Sequence, residues 1–406
     1  LEHFVSEPKR MSNGDNTKVE EQYIVNESPE ISVGENTRWV KLFGAFPALQ
    51  NPNYQKYFFG QFVSLIGSWL QIVAQSWLVL TLTDSPLVIG FVAAMATAPS
   101  LLFSLFGGVI VDRFAKKKIL YITQSSSMIL ALLLGVLTLN GWVSVPVIAT
   151  IAFMLGTVNA LDAPARQAFV SELVNREQLP SAIALNSSIF NGARVIGPSF
   201  AGLLIALVGT GGAFVLNGVS YIAVLVALFF VDVKPVIGNR DLKPLQAIKD
   251  GLVYSFTHPV IRIVMIFVGM MSVFGWSYST LMPIVAKHTF HLQAKGLGYL
   301  YAAVGCGSLL GTLLIGALGQ RTRRVNFIVG GSALFALSIT AFGFVHALPI
   351  ALPLLFFAGT GLLTQSAMSN TMVQSMVKQE YRGRVMSIYV LMFLGLAPLG
   401  NFEIGL

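Results

Sequence analysis

The chain has 406 residues, 54% of them hydrophobic and 11% charged, where soluble domains carry roughly 25% charged residues. That is too little charge to coat a globule in water and too much apolar content for a disordered chain. The single cysteine, Cys306, excludes a disulfide framework, and the net charge of +8 falls in short basic clusters between apolar runs, as in membrane proteins rather than nucleic-acid binders.

Residues 1–45 read as a polar tail, with an acidic stretch from Glu20 to Glu35. No basic-then-apolar signal with a small-residue cleavage site precedes the body, so the first apolar run belongs to the mature protein. A helix needs about 20 apolar residues to cross roughly 30 Å of hydrocarbon. Eleven runs meet that demand: 57–80, 87–111, 119–139, 145–164, 183–208, 213–231, 261–285, 298–318, 327–345, 350–372 and 385–406. The predicted organisation is a tail (1–45), a six-helix half (46–232), a cytoplasmic amphipathic linker (233–260) and a second half (261–406). The sequence stops inside an apolar run without flanking charge, which predicts a chain cut short in its eleventh span.

With the N-terminus inside, the inner loops hold Arg113 with Lys116–Lys118, then Arg166 and Arg176, then Lys234, Arg240, Lys243, Lys249 and Arg262, then Arg321, Arg323 and Arg324, and last Lys378, Arg382 and Arg384. Outer loops hold only Lys287 and Lys295, as the positive-inside rule requires. A shift of 208 positions aligns Gly67 with Gly275, Gly90 with Gly298, Gly108 with Gly316 and Arg113 with Arg321, and a shift of 200 aligns Pro198 with Pro398. The expected fold is therefore an all-α polytopic membrane protein of two six-helix pseudo-repeats, its last helix absent, with a cavity between the halves near the bilayer midplane.

The first span carries Gln61, Ser64, Ser68, Gln71 and Gln75 at steps of three and four, hence on one helical face. Lipid is a poor partner for such a stripe. It either lines the cavity, with Trp69 and Trp77 offering aromatic contact, or forms a polar seam between helices. The fifth span holds Asn186, Ser187, Ser188, Asn191 and Arg194. An arginine there is expected to contact a substrate anion or tune a nearby acid, the competing reading being a fixed pair with Asp162.

The candidate proton-coupling acids are Asp162 and Glu403. Asp162 has Arg166 one turn on, so a structural i,i+4 pair competes with coupling. Glu403 lies about 28 Å beyond Arg384 along its helix. Asp84, beside Pro86, reads as a helix cap. His288 and His291 lie in an outer loop with no acid or cysteine nearby in sequence, so no metal site is expected, and no phosphate-cradling G-x-x-x-x-G-K-[ST] run occurs.

The run Gly108-Val-Ile-Val-Asp112-Arg113-Phe-Ala-Lys116-Lys117 resembles the G-x-x-x-D-R-x-G-R-K loop of the major facilitator superfamily, with Ala115 in place of the usual glycine. Three stretches resemble the superfamily's bacterial exporter branch, which holds enterobactin exporters, macrolide efflux proteins and transmembrane secretion effectors. They run from Asp162 to Val174, from Ala184 to Pro198 and from Arg382 to Ser387, and Leu82-Thr-Asp-Ser-Pro-Leu87 is similar too. The resemblance runs from about Phe46 to the end of the sequence. It implies a cytoplasmic gate at Gly108, Asp112 and Arg113, with Asp112 facing Arg382 or Arg384; the alternative is that the lysines fix topology and Asp112 caps a helix. In the second half Gln320 replaces the aspartate. Gly197-Pro198-Ser-Phe-Ala-Gly202 resembles the G-P-x-x-G-G part of the antiporter motif, which implies a pivot at Gly197, Pro198 and Gly202, or else an ordinary kink.

The resulting expectation is a monomeric bacterial inner-membrane exporter of small amphipathic molecules such as siderophores, macrolides or other drug-like solutes, driven by proton antiport. Its partners are the lipid bilayer, the solute and the proton, with no nucleic acid, cofactor, metal or catalytic residue. The alternatives are a facilitator or importer, a membrane scaffold, and a membrane-embedded enzyme, the last disfavoured by the lack of paired carboxylates or metal-ligand clusters.

Overall fold

The computed structural model describes residues 46–233, 244–318, 323–378 and 381–406; for residues 104–109, 112, 244–248 and 317 the helix alone is described. The tail, the loop residues Lys234, Arg240 and Lys243, and Gln320 and Arg321 lie outside the described residues, as do the side chains of Gly108 and Asp112.

A short 3₁₀ turn, Pro47–Gln50, leads into α1, Pro52–Thr83. Asn51 starts α1 by accepting from the backbone N–H groups of Asn53 and Tyr54, with Pro52 at the first helical position. Asp84 ends it in the left-handed conformation. There follow α2 (Pro86–Arg113), α3 (Lys116–Leu139), α4 (Val145–Leu173), α5 (Leu179–Phe230), the linker helix α6 (Pro244–Thr257), α7 (Pro259–Thr289), α8 (Ala294–Leu318), α9 (Arg324–Gly343), α10 (Leu348–Met376) and α11 (Arg382–Glu403).

Ten helices among the described residues are long and apolar enough to cross a membrane. One of them, α5, has 52 residues, or about 78 Å at 1.5 Å per residue, more than twice the hydrocarbon thickness. It breaks at Gly209 (φ 71°, ψ 175°), a backbone conformation that favours glycine. Its two arms run in opposite directions along α1: Phe62 and Trp69 meet Gly192 and Gly197 in rising order, whereas Gly60 and Gly67 meet Ala227 and Asn217 in falling order. The described chain therefore makes eleven passes, matching the hydropathy reading. The large apolar side chains left exposed, among them Ile129, Phe229, Leu313 and Leu337, face outward, which suits lipid and would be a liability in water.

The helices form two groups. Within the first, α1 and α3 pack on α5 and α2 packs on α4; within the second, α8 and α9 both pack on α10. The groups meet where α5 crosses α8 and α2 crosses α11. Each crossing is a contact between small residues, Gly202 on Gly298 and Gly90 on Gly405. Gly90 and Gly298 are the positions equated by the 208-residue shift, so the repeat in sequence recurs as paired crossings in space.

The helices α7 and α11 carry π turns at Met271–Gly275 and Leu391–Gly395, the kind of local widening that often marks functional segments. The two turns are tied by Ser272 Oγ donating to Phe393 O at 2.7 Å. Trp276 follows directly on the first.

Candidate functional site

The two helix groups are latched at one end. Asp84, between α1 and α2, accepts from Lys287 Nζ at 2.7 Å and lies 2.9 Å from His288 Nε2, both at the end of α7. The hydrogen bonds to Lys287 and His288 hold the Asp84 carboxyl below the usual aspartate range. Asp84 is thus more than a helix cap, and His288 has an acid beside it that sequence distance concealed. No cluster of three or more His, Cys, Asp or Glu suited to a metal occurs among the described residues.

Near the same end Asn401 of α11 accepts from Thr280 at 2.9 Å and reaches toward Thr97 of α2. At the opposite, basic end Lys116 pairs with Glu172 at 3.5 Å within the first group, and Arg384 pairs with Asp250 of the linker helix α6 at 2.9 Å. Lys117 donates to Val231 O at 2.6 Å. Arg113 and Arg382 are exposed. Arg384 therefore meets the linker helix.

Beneath the latched end lies a cavity of about 350 Å³ between the groups. Ser68, Gln71 and Gln75 of α1, Asn217 and Tyr221 of α5, and Ser279, Thr280 and Tyr301 from the second group contribute polar atoms to its wall. The expected stripe is divided. Ser68, Gln71 and Gln75 line the cavity, whereas Gln61 and Ser64, 2% and 1% exposed, are sealed between helices. Ser64 lies 3.5 Å from Gln124, and Gln71 accepts from Asn217. Seam and cavity readings each hold for part of the face. The shift of 208 maps Gln71 onto Ser279, so the repeat held a signal for the opposite wall.

Asp162 is buried and fully engaged. Thr123 and Gln124 donate to one oxygen at 2.7 and 2.8 Å, and Arg166 Nε meets the other at 2.8 Å. The i,i+4 pair is what the structure contains, and the alternative pair of Asp162 with Arg194 does not form. Glu403 is exposed near the end of α11. Asn191 donates to Ser187 O on its own helix. Gly197 and Gly202 let α5 approach α1 and α8, and helical geometry persists through Pro198, the break falling at Gly209.

Arg194 stacks on aromatic rings instead, its Cζ 3.7 Å from the ring centre of Trp276 in α7 and 5.6 Å from that of Trp69 in α1. It bridges the two groups about 12 Å along α5 from the Gly202 crossing. An arginine at such depth costs about 2.5–3.5 kcal/mol on the insertion scale, and a desolvated cation–π contact returns about 2 kcal/mol. Sequence spacing did not identify Trp276 as its partner.

Two repeated helix groups, latched at one end around a polar cavity, have the two-half architecture of membrane transporters. The chain belongs to the transmembrane secretion effector family, whose profile matches residues 43–406. It is 30% identical over 355 residues to the staphyloferrin A transporter of Staphylococcus aureus (strain NCTC 8325 / PS 47), covering 85% of this chain and 87% of that one. It is 26% identical over 351 residues to the multidrug efflux pump Tap of Mycolicibacterium fortuitum (82% and 84% covered). It is 23% identical over 339 residues to the enterobactin exporter of Escherichia coli O1:K1 / APEC (84% and 81%). Among solved structures it is similar to a bacterial homologue of the human lysosomal transporter Spinster, inward-facing and unoccupied, with TM-score 0.64, 16% identity and 86% and 81% covered. It is also similar to a bacterial homologue of ferroportin in an inward-facing state, with TM-score 0.62, 15% identity and 87% and 91% covered.

Proposed function

We propose that this protein exports small amphipathic organic molecules, of the siderophore or drug-like kind, across a bacterial inner membrane by alternating access. The cavity between the helix groups, latched at Asp84 and lined by Ser68, Gln71 and Gln75, carries this reading. Residues 46–232 and 261–406 are the moving halves, linked through α6. With the basic loops cytoplasmic, the latch lies outside and the cavity faces inward. The outward direction is drawn from the efflux and export named for relatives. Gly108, Asp112, Arg113, Arg382 and Arg384 form the gate that closes the inner side in the opposite state, with Gly197, Pro198 and Gly202 as its pivot.

Proton antiport requires an acid that changes partner as the cavity changes face, and Asp162 or Glu403 fills that role. Because both oxygens of Asp162 are occupied, coupling through it means breaking the Arg166 pair. The same observation favours a second reading, a facilitator indifferent to the proton gradient. The test is dye or siderophore uptake by inverted vesicles on acidifying the lumen. Gradient-dependent uptake lost in Asp162→Asn supports antiport; uptake indifferent to the gradient supports the facilitator; no solute movement at all refutes transport.

A further inference from the structure

The side chains lining the cavity are all neutral, and the cation Arg194 lies outside that lining, between α5, α1 and α7. Arg194 makes no hydrogen bond or ion pair among the described residues, and its contacts are the faces of Trp276 and Trp69. A guanidinium has five N–H donors in one plane, and aromatic stacking engages the face of that plane while leaving the edge free. Trp276 adds a sixth donor, since its indole N–H is buried without a partner. The acid that would neutralise Arg194 is held elsewhere, with both Asp162 oxygens taken by Thr123, Gln124 and Arg166. Arg194 itself is only half-buried, so its guanidinium remains within reach of a solute, while the Trp276 N–H is a buried donor that nothing in the protein satisfies.

We infer that Arg194 and the Trp276 indole N–H form a receptor for a carboxylate on the transported solute, with the Trp69 and Trp276 rings receiving the apolar body beside it. A carboxylate is planar, and its two oxygens match the edge of a guanidinium as a bidentate pair. A cationic solute would meet the Arg194 charge with no carboxylate to offset it, and a neutral one would leave that charge uncompensated. The inference rests on the transport reading and narrows its solute to anionic amphiphiles.

The test uses the purified full chain in detergent and three probes of one shape: 2-naphthoate, 2-naphthamide and 2-naphthylmethylammonium, titrated by calorimetry. The expected result is naphthoate binding at least about tenfold tighter than either of the others. Arg194→Gln abolishes the preference, Arg194→Lys keeps part of it, and Trp276→Phe weakens naphthoate alone. Equal binding of the three probes, or a preference that survives Arg194→Gln in a protein of unchanged melting temperature, overturns the inference. Proteoliposome flux separates the two levels: gradient-driven movement of a cationic dye with no carboxylate preference refutes the receptor and leaves transport standing. Carboxylate binding through Arg194 without flux of any probe keeps the receptor and refutes transport.

Discussion

Replacing Gly90 by alanine tests the crossing that closes the latched end. A Cβ built on Gly90 lies 2.5 Å from the backbone oxygen of Asn401 and 3.0 Å from Gly405 Cα. Neither neighbour is a flexible side-chain tip that could turn away, so α11 must retreat from α2 by about 1 Å to restore ordinary contact. Overpacking of that kind costs about 1–3 kcal/mol, which lowers the closed population relative to the open one by about 5- to 150-fold. Gly330→Ala is the matched control, because a Cβ at Gly330 meets nothing within 4 Å. With spin labels on the α1–α2 and α7–α8 connections, electron–electron distance measurements should show the short separation depleted in Gly90→Ala and retained in Gly330→Ala. If both variants keep the parent distribution, or both lose it, the assignment of the glycine crossing as the closing contact is wrong.

Asp84→Asn removes the charge that holds Lys287 and His288, so the same labels should separate at neutral pH, with export slowed rather than abolished. In the parent the lowered Asp84 carboxyl value sets the sign. Its contribution to closure is fully present above the ordinary aspartate value of 3.8 and is lost as pH falls through the lowered one, so closure should not weaken between neutral pH and about 4 and should fall below it. Distances measured as a function of pH check this; opening that begins near neutral pH would assign the latch to another group. Arg166→Leu strands a buried carboxylate and should destabilise the protein by about 3–5 kcal/mol, read as a lowered thermal midpoint. Ser272→Ala unties the π turns of α7 and α11 at a cost of about 1 kcal/mol, and should alter transport rate more than stability.

The passes were legible because lipid forces every backbone group into a helix and leaves apolar residues outside, a demand that hydropathy reads directly. The paired crossings were legible too, since the shift that equates Gly90 with Gly298 equates two sites of close approach. Other features escaped because they depend on residues far apart in sequence. Asp84 and Lys287 are separated by 203 positions, and Asp84 resembled a cap. Asp162, the competing partner for Arg194, instead satisfies itself locally with Arg166 and with Thr123 and Gln124 of the preceding helix. Trp276 is presented to Arg194 by a π turn that no residue periodicity announces. The break at Gly209 falls in the gap between the runs 183–208 and 213–231, and the helix resumes directly after it.

The claim on which the functional account stands is that the cavity is reachable from one side of the membrane at a time. Single cysteines at Ser68 and Gln75, in a Cys306→Ser background, exposed to an impermeant thiol reagent from each face, measure it directly. In the resting protein both positions should react from the side of the basic loops and be protected from the Asp84 side, and Asp84→Asn should admit reagent from the latter. Equal reaction from both faces at rest, or protection from both, would contradict alternating access.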